Sequence, residues 1–184
     1  MKKLLTISTF IFLTGLFAGL FFSYGLSDEN KAYLVELLVS GLSDSNSGFF
    51  RSFFASLIAN LSLATLMVFA VFTKKLHPLP LILLLYKSFA LGFSSGLIYI
   101  GQAMGQSENP FLLSLIKIFP QNLLFVPAFI LLATAAFIYS REALLKTKRS
   151  SREKKDLNKI IIICLAAITA GCIIEAIVLA VPLP

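Results

Sequence analysis

The chain has 184 residues, of which 58% are hydrophobic and 14% charged, with a mean hydropathy of +0.89. Soluble domains carry about 45–50% apolar and about 25% charged residues, so the composition argues against a water-soluble globule, and its hydrophobicity argues equally against disorder. Sixteen basic residues against nine acidic ones give a net charge of +7, which has to be placed relative to a membrane before it says anything about partners. Two cysteines and one histidine are too few for a disulfide framework or a Cys/His metal cluster.

A helix crosses the hydrocarbon core with about 20 mainly apolar residues. Uncharged runs of that length predict an all-α bundle of five transmembrane helices over 4–24, 50–73, 81–104, 119–140 and 160–181, forming one polytopic membrane domain over 1–184. The first run follows Lys2 and Lys3 as a signal peptide would. It is longer than the usual h-region of 7–15 residues and no A-x-A-like site follows, so it is read as an uncleaved anchor. Cytoplasmic loops concentrate Lys and Arg. An N-in, C-out topology puts twelve of the sixteen basic residues inside: Lys2, Lys3, Lys74, Lys75 and the eight within 141–159.

Between the first two spans, Ser27 and Asp28 are candidate helix caps, and Leu34, Leu37, Leu38 and Leu42 recur at helical spacing. This predicts a short amphipathic helix, ended by Gly41 and 43–48, that either lies on the outer leaflet or a partner, or caps the bundle. Phe49, Phe50, Phe53 and Phe54 form an aromatic cluster where the second span meets the interface. The 141–159 loop, with eight basic and three acidic residues, suits the anionic headgroups of the inner leaflet. It has no motif or aromatic interleaving that would point to nucleic acid.

The third span contains Gly92-Phe93-Ser94-Ser95-Gly96, a match to G-x-S-x-G. As a nucleophile elbow that string needs a strand–turn–helix setting with His and acidic partners. Here it falls in mid-helix, and His77 lies seventeen residues earlier, about 25 Å along a helix. Gly92 and Gly96 instead share the four-residue spacing of Gly15/Gly19 and Gly101/Gly105, which lets helices approach closely in lipid. Cys164 and Cys172 are separated by about 80° and about 12 Å on one helix, too far to bridge or to share a tetrahedral metal. No catalytic, cofactor or metal site is expected.

Ionisable and amide side chains inside the spans carry more information, because each is costly in a bilayer. Lys87 is expected to snorkel toward the cytoplasm. Asn60 offers an interhelical hydrogen bond, and Lys117 and Glu175 are placed to form a salt bridge near the outer face. Residues 111–140 are too many for one simple span, and Pro120 biases Phe119 away from helix. A short interfacial helix at 111–118, a break, and then the fourth span are predicted. Gln121 and Asn122 fall in the first turn of that span and Pro127 bends it. A polar broken helix end of this kind suits a docking surface or a ligand site.

The string PQNLLFVPAFI, from Pro120 to Ile130, resembles the fourth-span motif of the stage II sporulation protein M family. The resemblance extends to Lys87 with Gly92 and Gly96, to five spans in the same order, and to Glu175 ahead of a proline-containing end. It implies a multi-pass protein of the septal and forespore-engulfing membrane of a sporulating bacterium. There it would act as a non-enzymatic scaffold recruiting cell-wall hydrolases of the stage II sporulation D and P types for peptidoglycan remodelling. Binding to those partners is expected through the 28–42 helix, the 111–122 break and the C-terminal tail. The alternative is a small permease or transporter subunit using the broken fourth helix; there, Glu175→Gln and Asn122→Ala would abolish flux while leaving expression intact.

Overall fold

The computed structural model describes residues 2–43, 48–72, 76–104, 116–145 and 151–180. Among them every element is helical: α1 (Lys2–Tyr24), α2 (Asp28–Ser43), α3 (Phe49–Phe69) continued by a 3₁₀ turn (Ala70–Phe72), α4 (Leu79–Ala103), α5 (Phe119–Leu145) and α6 (Ser151–Ala180). All but α2 are long and apolar enough to span a bilayer. Lys74, Lys75, Gly105, Glu108, most of the expected 111–118 helix and the 181–184 tail lie outside the described residues.

The five spans are the expected ones, with one correction at the 141–159 segment. That segment is helical on both flanks, to Leu145 on α5 and from Ser151 on α6. Its Arg, Glu and Lys residues are good helix formers, and the helices keep packing past the apolar stretch. Leu157 is buried with Ala135 and Ile138, and Tyr139 Oη donates to Asn158 Oδ1 at 3.0 Å.

Helix α5 is the centre of the bundle. Of its apolar stretch 56% of residues are buried, against 22–33% for the other spans. Phe125, Ala128, Phe129, Leu132 and Ala133 meet Phe12 of α1, Ala64 and Met67 of α3, Leu84 of α4, and Cys164, Ile168 and Cys172 of α6. The large apolar residues on the outside, such as Phe10, Phe21, Phe50, Ile58 and Ile162, face where lipid would lie.

Helices α1 and α4 run parallel and are packed backbone to backbone. A Cβ on Gly15 or Gly19 would overlap Ser88 or the Phe89 carbonyl, and one on Gly92 or Gly96 would overlap the Leu16 carbonyl or Ser23. Both small-residue pairs are therefore used, each receiving the other helix. The short helix α2 folds onto the end of α4. Val35 is fully buried against Leu97 and Ile100, in the space left by Gly101, where a Cβ would stand 2.7 Å from Val35 Cγ1. Of the leucines expected to form the apolar face, Leu34 and Leu38 join this contact while Leu37 is half exposed. The expectation that α2 caps the bundle is the one the packing matches.

Candidate functional site: a polar relay and the cavity beside it

On α3, Ser52, Ser56 and Asn60 recur every four residues and are buried together with Ala64 and Met67. This stripe faces α6, where Cys164, Ile168, Cys172 and Ala176 form the buried face. One turn of helix repeats in 3.6 residues, so the four-residue spacing keeps each set on one side. Glu175, one residue off the α6 stripe, comes within reach of Ser56, and Lys87 of α4 comes within reach of Asn60.

The result is a hydrogen-bonded chain across three helices. Lys87 Nζ donates to Asn60 Oδ1 at 2.6 Å. Asn60 Nδ2 donates to the Ser56 carbonyl at 3.0 Å and to Ser56 Oγ at 3.2 Å. Ser56 Oγ in turn donates to Glu175 Oε2 at 2.5 Å. Every donor along the chain points from the ammonium toward the carboxylate. Opposite charges are thus linked through two neutral side chains, each polarising the next. Lys87 Nζ also stands 5.3 and 5.5 Å from the ring centroids of Phe125 and Phe129, within the range of cation–π attraction.

Two expectations, one about direction and one about pairing, are corrected by this geometry. Lys87 does not snorkel; its ammonium turns into the bundle, because an amide oxygen and two aromatic faces hold it there. Nor do Lys117 and Glu175 pair. Lys117, buried to 2% exposure, donates instead to the carbonyls of Val178 at 2.8 Å and Leu179 at 3.5 Å. These lie in the last turn of α6, where carbonyls lack an intrahelical partner and the helix dipole favours a cation. Glu175 sits one turn deeper and is taken by Ser56.

The predicted break before the fourth span is present as a turn at Ile118, but Phe119 and Pro120 already belong to α5. Gln121 and Asn122 occupy its first turn as expected. Their carboxamides fold back to close that turn: Gln121 Nε2 donates to the Lys117 carbonyl and Asn122 Nδ2 to the Ile118 carbonyl at 2.7 Å. Pro127 lies inside α5, which continues through it to Leu145, and it is exposed on the outer face of the helix with Leu123. The proline removes the donor for the Leu123 carbonyl, and it stands away from the polar cluster.

Lys87, Lys117, Gln121, Asn122 and Glu175 line one cavity of about 380 Å³. Its remaining wall comes from Leu37, Leu38 and Gly41 of α2, Ala90, Leu91 and Ser94 of α4, Ile118 and Phe125, and Leu179 of α6. Asn60 reaches this space only through Lys87, and Pro120 and Pro127 are not part of its lining. Sequence reasoning missed Ser56 and the Ser94 wall, although the Ser52/Ser56/Asn60 spacing in an apolar span was a readable signal. Ser94 of the G-x-S-x-G string donates to the Ala90 carbonyl at 2.9 Å in mid-helix, while His77 packs on Phe137 with ring centroids 6.2 Å apart. Among the described residues, no three His, Cys, Asp or Glu side chains come together.

The model of the family described as stage II sporulation protein M matches residues 8–178, from within α1 to the last turns of α6. The chain belongs to that family, and with its five apolar helices it is a multi-pass membrane protein of a sporulation family. Comparison with curated proteins and with solved structures gives no match.

Proposed function

We propose that this member of the stage II sporulation protein M family is a non-enzymatic membrane scaffold. In this reading it recruits cell-wall hydrolases of the stage II sporulation D and P types to the septal membrane, where peptidoglycan is remodelled during engulfment of the forespore. The family match over 8–178 is the observation that carries the reading. Support comes from the shape of the molecule: it offers partners surfaces and short segments, with Tyr33 and Leu37 exposed on α2.

The orientation in this proposal is N-in and C-out, since that places most of the Lys and Arg on the cytoplasmic side. Helix α2 then lies on the wall-facing side, and the basic 141–159 segment meets the anionic inner leaflet. Exposed Lys155 and Lys159 belong to that segment.

The test is to crosslink a tagged copy in sporulating cells of its source and identify the co-purified proteins by mass spectrometry. Peptidoglycan hydrolases are the expected partners. Their absence, with the tagged protein abundant at the membrane, would overturn the scaffold assignment.

A further inference from the structure

The cavity between α2, α4, α5 and α6 has an unusual balance of hydrogen-bonding groups. Gln121 is 6% exposed, and its Oε1 has no donor among the described residues. The orientation of that amide is set chemically: Nε2 faces the Lys117 carbonyl, and a flip would place oxygen against oxygen. Asn122 uses its Nδ2 in the same way on the Ile118 carbonyl. Two neighbouring carboxamides therefore turn their NH₂ ends to the preceding turn, each donating one N–H there and keeping a second, and the Gln121 oxygen is the atom left without a partner among the described residues. A buried acceptor without a donor is uncommon and costly, and it marks a place where a donor belongs.

Three ionisable groups border the same space, and one of them, Lys117, is engaged on the Val178 and Leu179 carbonyls. Glu175 has one oxygen engaged by Ser56, and Lys87 has one N–H engaged by Asn60. The cavity thus offers an amide oxygen and a carboxylate to a cationic donor, and an ammonium to an anion. A simple cation would satisfy Gln121 but would face Lys87. A simple anion would meet Lys87, face Glu175 and leave Gln121 Oε1 without its donor. A group carrying both a primary ammonium and an anion matches both sets and adds no net charge to a site at membrane depth. The volume of about 380 Å³ lies in the range of small-ligand sites, and Leu38, Leu91 and Phe125 supply an apolar wall.

We propose that this cavity binds a zwitterion with a primary ammonium, its N–H groups received by Gln121 Oε1 and Glu175 and its anionic end by Lys87. Two sources present that chemistry: the headgroup of phosphatidylethanolamine and a free amino acid.

The experiment uses the full chain purified in detergent and two matched pairs of probes that differ only by methylation of the ammonium. Native mass spectrometry compares retention of phosphatidylethanolamine with phosphatidylcholine of the same acyl chains, with phosphatidylglycerol as the anion lacking an ammonium. Isothermal titration calorimetry compares glycine with N,N,N-trimethylglycine. Trimethylation removes every N–H that Gln121 could accept, so the primary-ammonium member of at least one pair is expected to bind about tenfold or more tightly. Preference within the lipid pair identifies a headgroup site, and preference within the glycine pair identifies a solute site. Gln121→Met, similar in volume but without the acceptor, is expected to erase the preference. Equal binding within both pairs, phosphatidylglycerol retained as well as phosphatidylethanolamine, or no binding of any probe would overturn the proposal. So would a Gln121→Met protein that keeps the preference. The comparison in the unmodified protein decides the matter even where that variant fails to fold.

Discussion

Replacing Asn60 by leucine removes the middle of the relay while keeping the side chain's approximate size. The largest loss is the bond from the Lys87 ammonium at 2.6 Å. Hydrogen bonds to charged groups contribute about 1.5–3 kcal/mol net. The bonds to Ser56 lie within α3 and join neutral groups, so they add less, about 0.5–1 kcal/mol together. The attraction of Lys87 to Phe125 and Phe129 survives in the variant and offsets none of the difference. Asn60→Leu should therefore destabilise the bundle by about 2–3 kcal/mol, roughly a 30- to 150-fold shift in the unfolding equilibrium. Unfolding of the detergent-solubilised protein by added SDS, followed by circular dichroism, measures it. Adding Lys87→Met removes the stranded ammonium, so the double variant should be less destabilised than the sum of the singles by about 1–2 kcal/mol. A single variant within about 0.5 kcal/mol of the parent, or strict additivity in the pair, would refute the relay as a stabilising element.

Gly92→Ala places a Cβ against the backbone carbonyl of Leu16, which cannot rotate away, and should cost about 1–3 kcal/mol or more in thermal unfolding. Gly41→Ala has the opposite sign: nothing lies within 4 Å of its Cβ, and helix propensity favours alanine by up to about 1 kcal/mol. Cys164 and Cys172 are buried and free, so the folded protein should resist alkylation by maleimide and take up two labels per chain only after denaturation in SDS. That silence makes engineered cysteines readable. With exposed Glu29→Cys and Lys155→Cys, an impermeant maleimide applied to protoplasts should label the first and reach the second only after permeabilisation; the reverse pattern would overturn the N-in orientation.

The spans were legible because crossing a membrane depends on a local sum of hydropathy, which each segment carries by itself. The polar intrusions Asn60, Lys87, Lys117 and Glu175 were legible for the same reason. Their partners were not. Pairing depends on the register between helices, and a shift of one turn exchanges one partner for another. Glu175 and Val178 are a turn apart on α6, and that interval decides whether Lys117 meets a carboxylate or a bare carbonyl. The direction of Lys87 depended on Phe125 and Phe129, which belong to a helix more than thirty residues away in sequence. Ser56 went unnoticed because a serine in a membrane helix commonly satisfies itself on its own backbone; here its hydroxyl goes to α6 instead.

In lipid, burying a leucine against another helix gains little over burying it in acyl chains, so apolar faces alone do not decide which helices become neighbours. In this bundle three sets of neighbours have a device that is not hydrophobic. Helices α1 and α4 are joined where glycines admit the opposing backbone. Helices α3, α4 and α6 are joined by the chain from Lys87 to Glu175. Helices α5 and α6 are tied at one end by Tyr139 and Asn158, and at the other by Lys117 on the last carbonyls of α6. The central helix thus has its register set at both ends, which is how the carboxamides of Gln121 and Asn122 come to face the same cavity as Lys87 and Glu175. The packing devices and the candidate ligand groups share residues. A change of occupancy in the cavity would therefore be felt by the contacts that hold α3, α4 and α6 together.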